Sequence, residues 1–192
     1  MMKDISVINS VKYAAYRTAF KLRYLQTRLK CHEISLECIS AAFNKAGFLP
    51  EKNTSYISNK EIENILLICY KTTFKHKPVD THLCTDLLLN MLINTFDENR
   101  RGKIQILKSK VFLVVMGGGR LQDKYRYLFN EIADDNHHVS RKRLAKLLLI
   151  LSSMVEFLSE ELYFGSSFVS GAVESCFRNV SMKIFIFSIT IF

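Results

Sequence analysis

With 192 residues, 48% of them apolar and only 2 prolines, the chain carries enough burial to offset the entropy of ordering its backbone, which excludes intrinsic disorder. Its 27 Lys and Arg outnumber 18 Asp and Glu for a net charge of +9, which suits anionic lipid, an acidic partner or nucleic acid without choosing among them. Cysteines at 31, 38, 69, 84 and 176 are odd in number and form no CxxC pair, and the histidines lack finger-type spacing, so a structural zinc site is not expected and a reducing compartment is.

The opening "MMKDISVINSVKYAAYR" has no apolar run followed by small residues and is not expected to be a signal peptide. Between Asn9 and Lys30 the apolar residues Val11, Ala15, Leu22, Leu25 and Leu29 recur at helical spacing. Lys12, Arg17, Lys21, Arg23 and Arg28 fall largely outside that stripe. A basic outer face is therefore expected, with Arg17, Lys21 and Arg28 as its interaction residues, either on an anionic membrane surface or as a solvated face. A second helix follows from Glu33 to Ala46, with Leu36, Ile39, Phe43 and Ala46 inward and Gly47 as its stop.

"FLPEKNTSYIS" is a loop, and Ser58 with Glu61 forms a capping box that opens a third helix reaching Phe74, with Ile62, Ile65, Leu66 and Cys69 inward. Beyond Pro78, "THLCTDLLLNMLINTF" is the most apolar helix and delivers Asp97 to the next loop.

"FDENRRGKIQILK" has the layout of an EF-hand calcium loop with ligands missing. Such a loop places oxygens at positions 1, 3, 5, 7 and 9 and a bidentate Glu at 12. Here those positions hold Asp97, Asn99, Arg101, Lys103, Gln105 and Lys108. Position 7 offers a backbone carbonyl, so Lys103 is tolerated, but cations at 5 and 12 repel a divalent ion and remove the bidentate ligand. No calcium binding is expected. Arg101 or Lys108 is expected to turn toward Asp97 and neutralise the loop, while Gly102 permits a positive φ and Ile104 makes a strand contact to a partner loop. Ile57 is the expected mate of Ile104, and Val139 that of Val169.

"SKVFLVVM" is read as a short helix, although Val and Phe also suit a strand. "GGGR" breaks it; "LQDKYRYLFNEIA" and "RKRLAKLLLILSSMV" are helices on either side of the polar loop "DDNHHVS". "FGSSFVSGAVESCF" is a loop with one or two helical turns. The tail "VSMKIFIFSITIF" is too short for a bilayer, which takes about 20 residues, and is either an exposed strand, a sticky segment or the end of an incomplete chain.

The fold class is thus all-α: two pairs of degenerate EF-hand-like helix-loop-helix units with minimal β-bridges between loops. The expected lobes are 10–118 and 119–178, with 179–192 an apolar tail. No phosphate-binding Gly loop, no nucleophile with a matching His and no marked carboxylate pair occurs, so no enzyme and no cofactor are expected. "RKR" at 141–143 is weak as a nucleic-acid signal without interleaved aromatics, and no nucleic-acid partner is expected.

Four blocks, "YRTAFKLRYLQ", "LLLNMLINTFDENRRGKI", "LQDKYRYLFNEIA" and "FGSSFVSGAVESCF", resemble in order and spacing the EF-hand-like region of the dystrophin family, which includes dystrophin, utrophin, the dystrobrevins and dystrotelin. The resemblance runs from about Val11 to Arg178, and "DKYRYLF" leans toward the dystrophin and utrophin branch. It implies rigid EF-hand scaffolding in the cytoplasm, at the plasma membrane and cytoskeleton, that buttresses a WW domain gripping the β-dystroglycan tail, with a zinc-binding ZZ module after it. The chain holds no Trp, so no WW domain is expected within it, nor the ZZ module or its zinc. The competing class is a calcium-responsive switch that exposes an apolar groove.

Overall fold

Four helices in this protein start where a short polar side chain meets an orphan backbone N–H. The computed structural model describes residues 7–178. Its helices are α1 (Ala14–Arg28), α2 (Leu36–Lys45), α3 (Asn59–Thr73), α4 (Thr81–Phe96), α5 (Ile106–Met116), α6 (Leu121–Ile132), α7 (Arg141–Phe157), α8 (Glu161–Phe164) and α9 (Val169–Phe177). Ser35, Ser58, Asp80 and Ser140 each accept from the backbone three residues on, at 3.0 to 3.3 Å, and so cap α2, α3, α4 and α7. At Ser58 the box is reciprocal, because its own backbone N–H donates to Glu61 Oε2 at 2.8 Å.

The fold is all-α with a single small sheet among the described residues. Strands β1 (Tyr56–Ser58) and β2 (Lys103–Gln105) run antiparallel, pairing Ile57 with Ile104. Both isoleucines are buried, so the bridge joins two loops through apolar contact as well as backbone hydrogen bonds. The second bridge does not form. Val169 opens α9, and the 134–138 loop closes on itself through Asp134 N–H donating to the His138 carbonyl at 2.9 Å. With its backbone committed locally, that loop offers no strand edge to a partner.

The described residues group into two compact units, 29–131 and 7–28 with 132–178. The chain passes between these units at 28/29 and 131/132. The core of the first unit collects Phe43, Ile57, Ile62, Ile65, Leu66, Tyr70, Leu88, Leu92, Val111 and Phe112. Helix α5 is buried nearly all round, from Ile106 to Met116, which is why its Val- and Phe-rich sequence shows no helical stripe. Alanine 42 takes the inward place expected of Ala46, which is exposed.

The triple glycine does more than end α5. A side chain at Gly118 would meet the His32 carbonyl oxygen at 2.3 Å, and the Gly118 N–H donates to the Ile34 carbonyl at 2.8 Å. Only a residue without Cβ fits that backbone approach. Lys124 then donates to the carbonyls of Val115 and Gly117, at 3.2 and 2.7 Å, and supplies a cation where the helix dipole is negative.

In the second unit α1 is shorter than the expected span from Asn9 to Lys30, and residues 7–9 form a separate helical piece. Its buried positions are Thr18 and Gln26; of the expected stripe Ala15 is exposed, Val11, Leu22 and Leu25 are half-buried, and Leu29, just past the helix, is buried. The apolar tail expected at 179–192 lies outside the described residues.

Candidate functional site

The last turn of α4 brings Asp97 into a buried position, 4% exposed. One carboxylate oxygen accepts from the Arg101 backbone N–H at 2.8 Å and the other from Gly102 N–H at 2.9 Å. Positive φ angles at Arg100 and Gly102, 51° and 73°, curl the loop so that both N–H groups point inward. The carboxylate is thus satisfied by the loop's own backbone.

Neither expected cation turns toward it. Arg101 and Asn99 are exposed, and Lys108 lies with its Nζ 5.4 Å from the centre of the Phe96 ring. Two short backbone donors reach both carboxylate oxygens without desolvating a long cationic side chain, so the side-chain route has nothing to gain. Gly102 and Ile104 occupy their structural places in the turn and the bridge.

A cation does hold this region together, two residues past the loop. Lys110 on α5 is fully buried, and its Nζ sits 2.6 Å from Glu131 Oε2, the two side chains being 1% and 7% exposed. Asn53, in the loop before β1, donates from Nδ2 to the same carboxylate oxygen at 2.8 Å and to the Glu131 carbonyl at 2.9 Å. The Lys110 ammonium also lies 5.9 Å from the Phe43 ring centre. Burial, with the Glu131 charge beside it, pushes the nearby Tyr127 phenol up from its ordinary range. One ion pair therefore ties α5 to α6 and to the partner loop. The signal in the sequence was a Lys that follows Lys108 and Ser109 into the apolar body of the helix; nothing comparable marked Glu131 or Asn53.

The second unit has its own ionic centre. Glu160, its side chain 1% exposed, meets Arg17 Nε at 2.6 Å and Lys21 Nζ at 2.7 Å. Arg17 Nη2 donates to the second carboxylate oxygen at 2.6 Å, a two-pronged contact. Hydrogen bonding from Arg17 above all, against the opposing effect of burial, holds the Glu160 carboxyl below the usual range. Arg17 and Lys21 are thus half-buried partners of a buried acid, a correction to the exposed face expected for them. Arg28 is exposed and lies over the Tyr24 ring at 5.6 Å. With the cationic edge turned in, Tyr13, Tyr16 and Phe20 face out, 65%, 64% and 52% exposed.

Asp134 accepts from the backbone N–H groups of Asn136 and His138, at 3.0 and 2.8 Å, which lowers its pKa and closes the loop. Among the described residues no group of three His, Cys, Asp or Glu side chains is placed to hold a metal ion, and no helix is long and apolar enough to cross a membrane.

Models of the EF hand match residues 1–117 and 121–189. Dystrophin isoform B of Drosophila melanogaster is 34% identical over 183 residues, covering 95% of this chain and 11% of that protein. Dystrophin-1 of Caenorhabditis elegans and utrophin of Rattus norvegicus are 32% and 31% identical over 185 residues, each covering 95% of this chain and 5% of the relative. The chain belongs to the EF-hand-like region of the dystrophin family. It spans between 5% and 11% of the length of these relatives. The two EF-hand segments of this dystrophin-family chain meet near 117 to 121, whereas its compact units change at 28/29 and 131/132. Glu160 accounts for part of the difference, because it draws Arg17 and Lys21 of the first helix to the C-terminal residues.

Proposed function

We propose that this dystrophin-family chain is a non-catalytic scaffold and protein-interaction module whose EF-hands do not bind calcium. It works in the cytoplasm where the cytoskeleton is linked to a membrane glycoprotein complex of the dystroglycan type, together with WW and ZZ modules supplied outside this sequence. The observation that carries the proposal is the state of Asp97: both oxygens are taken by backbone N–H groups, while Arg101 and Lys108 occupy ligand positions 5 and 12. A loop so arranged holds its shape without an ion and gains little from one. Its product is a fixed arrangement of helices.

Calorimetric titration with calcium tests the first half of this reading, and no binding heat is expected at micromolar concentrations. Affinity capture from a cytoskeletal membrane extract tests the second, run with calcium and with a chelator. The same membrane-complex proteins should be retained in both. Micromolar binding heat, with capture lost on chelation, would establish the calcium switch instead.

A further inference from the structure

Five cysteines are spread over the chain, and two of them face one another. Cys38, half-buried in the first turn of α2, and Cys69, buried on α3, lie where these two helices pack. The arrangement is reciprocal: Cys38 Sγ lies 3.9 Å from the Cys69 carbonyl oxygen, and Cys69 Sγ lies 3.9 Å from the Cys38 carbonyl oxygen.

We propose that Cys38 and Cys69 are a peroxide-oxidisable dithiol site that closes to a disulfide joining α2 to α3. Cys38 is the attacking sulfur. It follows Ser35 by three residues, inside the first helical turn where backbone dipoles favour an anion. Hydrogen bonding from Cys69 lowers its pKa, with a further contribution from Thr73. Cys31, Cys69, Cys84 and Cys176 are all shifted upward, Cys31 to about 12, with burial as the leading cause in Cys31, Cys84 and Cys176. One thiol is therefore activated and a second is positioned to resolve it.

In the first step the Cys38 sulfur attacks one oxygen of hydrogen peroxide, the O–O bond breaks, and the Cys38 proton leaves with the other oxygen as water. Cys38 is then a sulfenic acid. In the second step Cys69 Sγ attacks Cys38 Sγ; the S–O bond breaks, and the departing hydroxide takes the Cys69 proton as a second water. Two thiols lose two electrons in all, and one peroxide becomes two waters. The disulfide requires the sulfurs to approach to about 2.05 Å, and a small-molecule dithiol reverses it.

The test treats the reduced full-length chain with hydrogen peroxide, alkylates the remaining thiols after denaturation and maps the peptides. The expected product is a single cross-link between the peptides holding Cys38 and Cys69, two hydrogens lighter than the reduced pair and reversed by dithiothreitol. In Cys38→Ser the cross-link should vanish with Cys69 still alkylated, and in Cys69→Ser a dimedone adduct should accumulate on Cys38. The wild-type map decides alone if a variant misfolds. Sulfinic acid on Cys38 beside a free Cys69, a cross-link through other cysteines, or a pair of unreacted thiols overturns the proposal.

Discussion

A lysine in the middle of a buried helix is costly unless its charge is met, and at Lys110 it is met by Glu131 at 2.6 Å, with Asn53 completing the carboxylate's bonding. Removing only one member leaves the other buried without its partner. Lys110→Met should therefore destabilise the chain by about 3 to 5 kcal/mol, read as a lowered urea midpoint. Pairing it with Glu131→Leu should recover a large part of that loss, since no charge is left stranded, although Asn53 then loses an acceptor. Equal damage from the single and double variants would mean that the site matters through shape and not through charge. Glu131 carries the same lesson for prediction. On sequence it is one acid among several near the end of a helix, and only the packed arrangement shows which cation it serves.

At the scale of elements, most of the architecture was legible because each signal was local. The Ser58 box and the α4 boundaries rest on residues within one turn, and the Ile57 with Ile104 bridge was read from the place each isoleucine holds in its own loop. What was not legible depended on distant partners. The inward edge of α1 is chosen by Glu160, more than a hundred positions away, and no periodicity within α1 contains that information. The 97–108 loop lies between the two cases: its motif was plain, but its closure by backbone donors followed from φ angles and not from residue types. If missing ligands alone keep calcium out, restoring them should admit it. Arg101→Asp with Lys108→Glu returns oxygens to positions 5 and 12, and binding heat should then appear at the weak end of the EF-hand range, about 10⁻⁴ to 10⁻³ M. A silent double variant would show that the loop's shape, not its charge, is the barrier.

For the whole molecule, charge sets how stability responds to acid. The carboxyls of Glu33, Glu37, Glu61, Asp134 and Glu160 all sit below their ordinary values, held by hydrogen bonds to cations, hydroxyls or backbone N–H groups. A folded pKa below the unfolded one means that near those values the unfolded chain binds more protons, so stability rises with pH across the window. The contribution is complete above the ordinary carboxyl values, 4.5 for Glu and 3.8 for Asp, and is lost as pH falls through the depressed ones. Glu160→Gln isolates one of these groups, because it leaves the other four carboxyls in place. At neutral pH its urea midpoint should lie below that of the unaltered chain, for Arg17 and Lys21 then face an amide in place of an anion. As pH drops below about 4.5 the two midpoints should converge, since protonating Glu160 performs nearly the same change. Parallel curves that never meet would show that Glu160 acts through packing, and that its charge does not hold the first helix to the C-terminal residues.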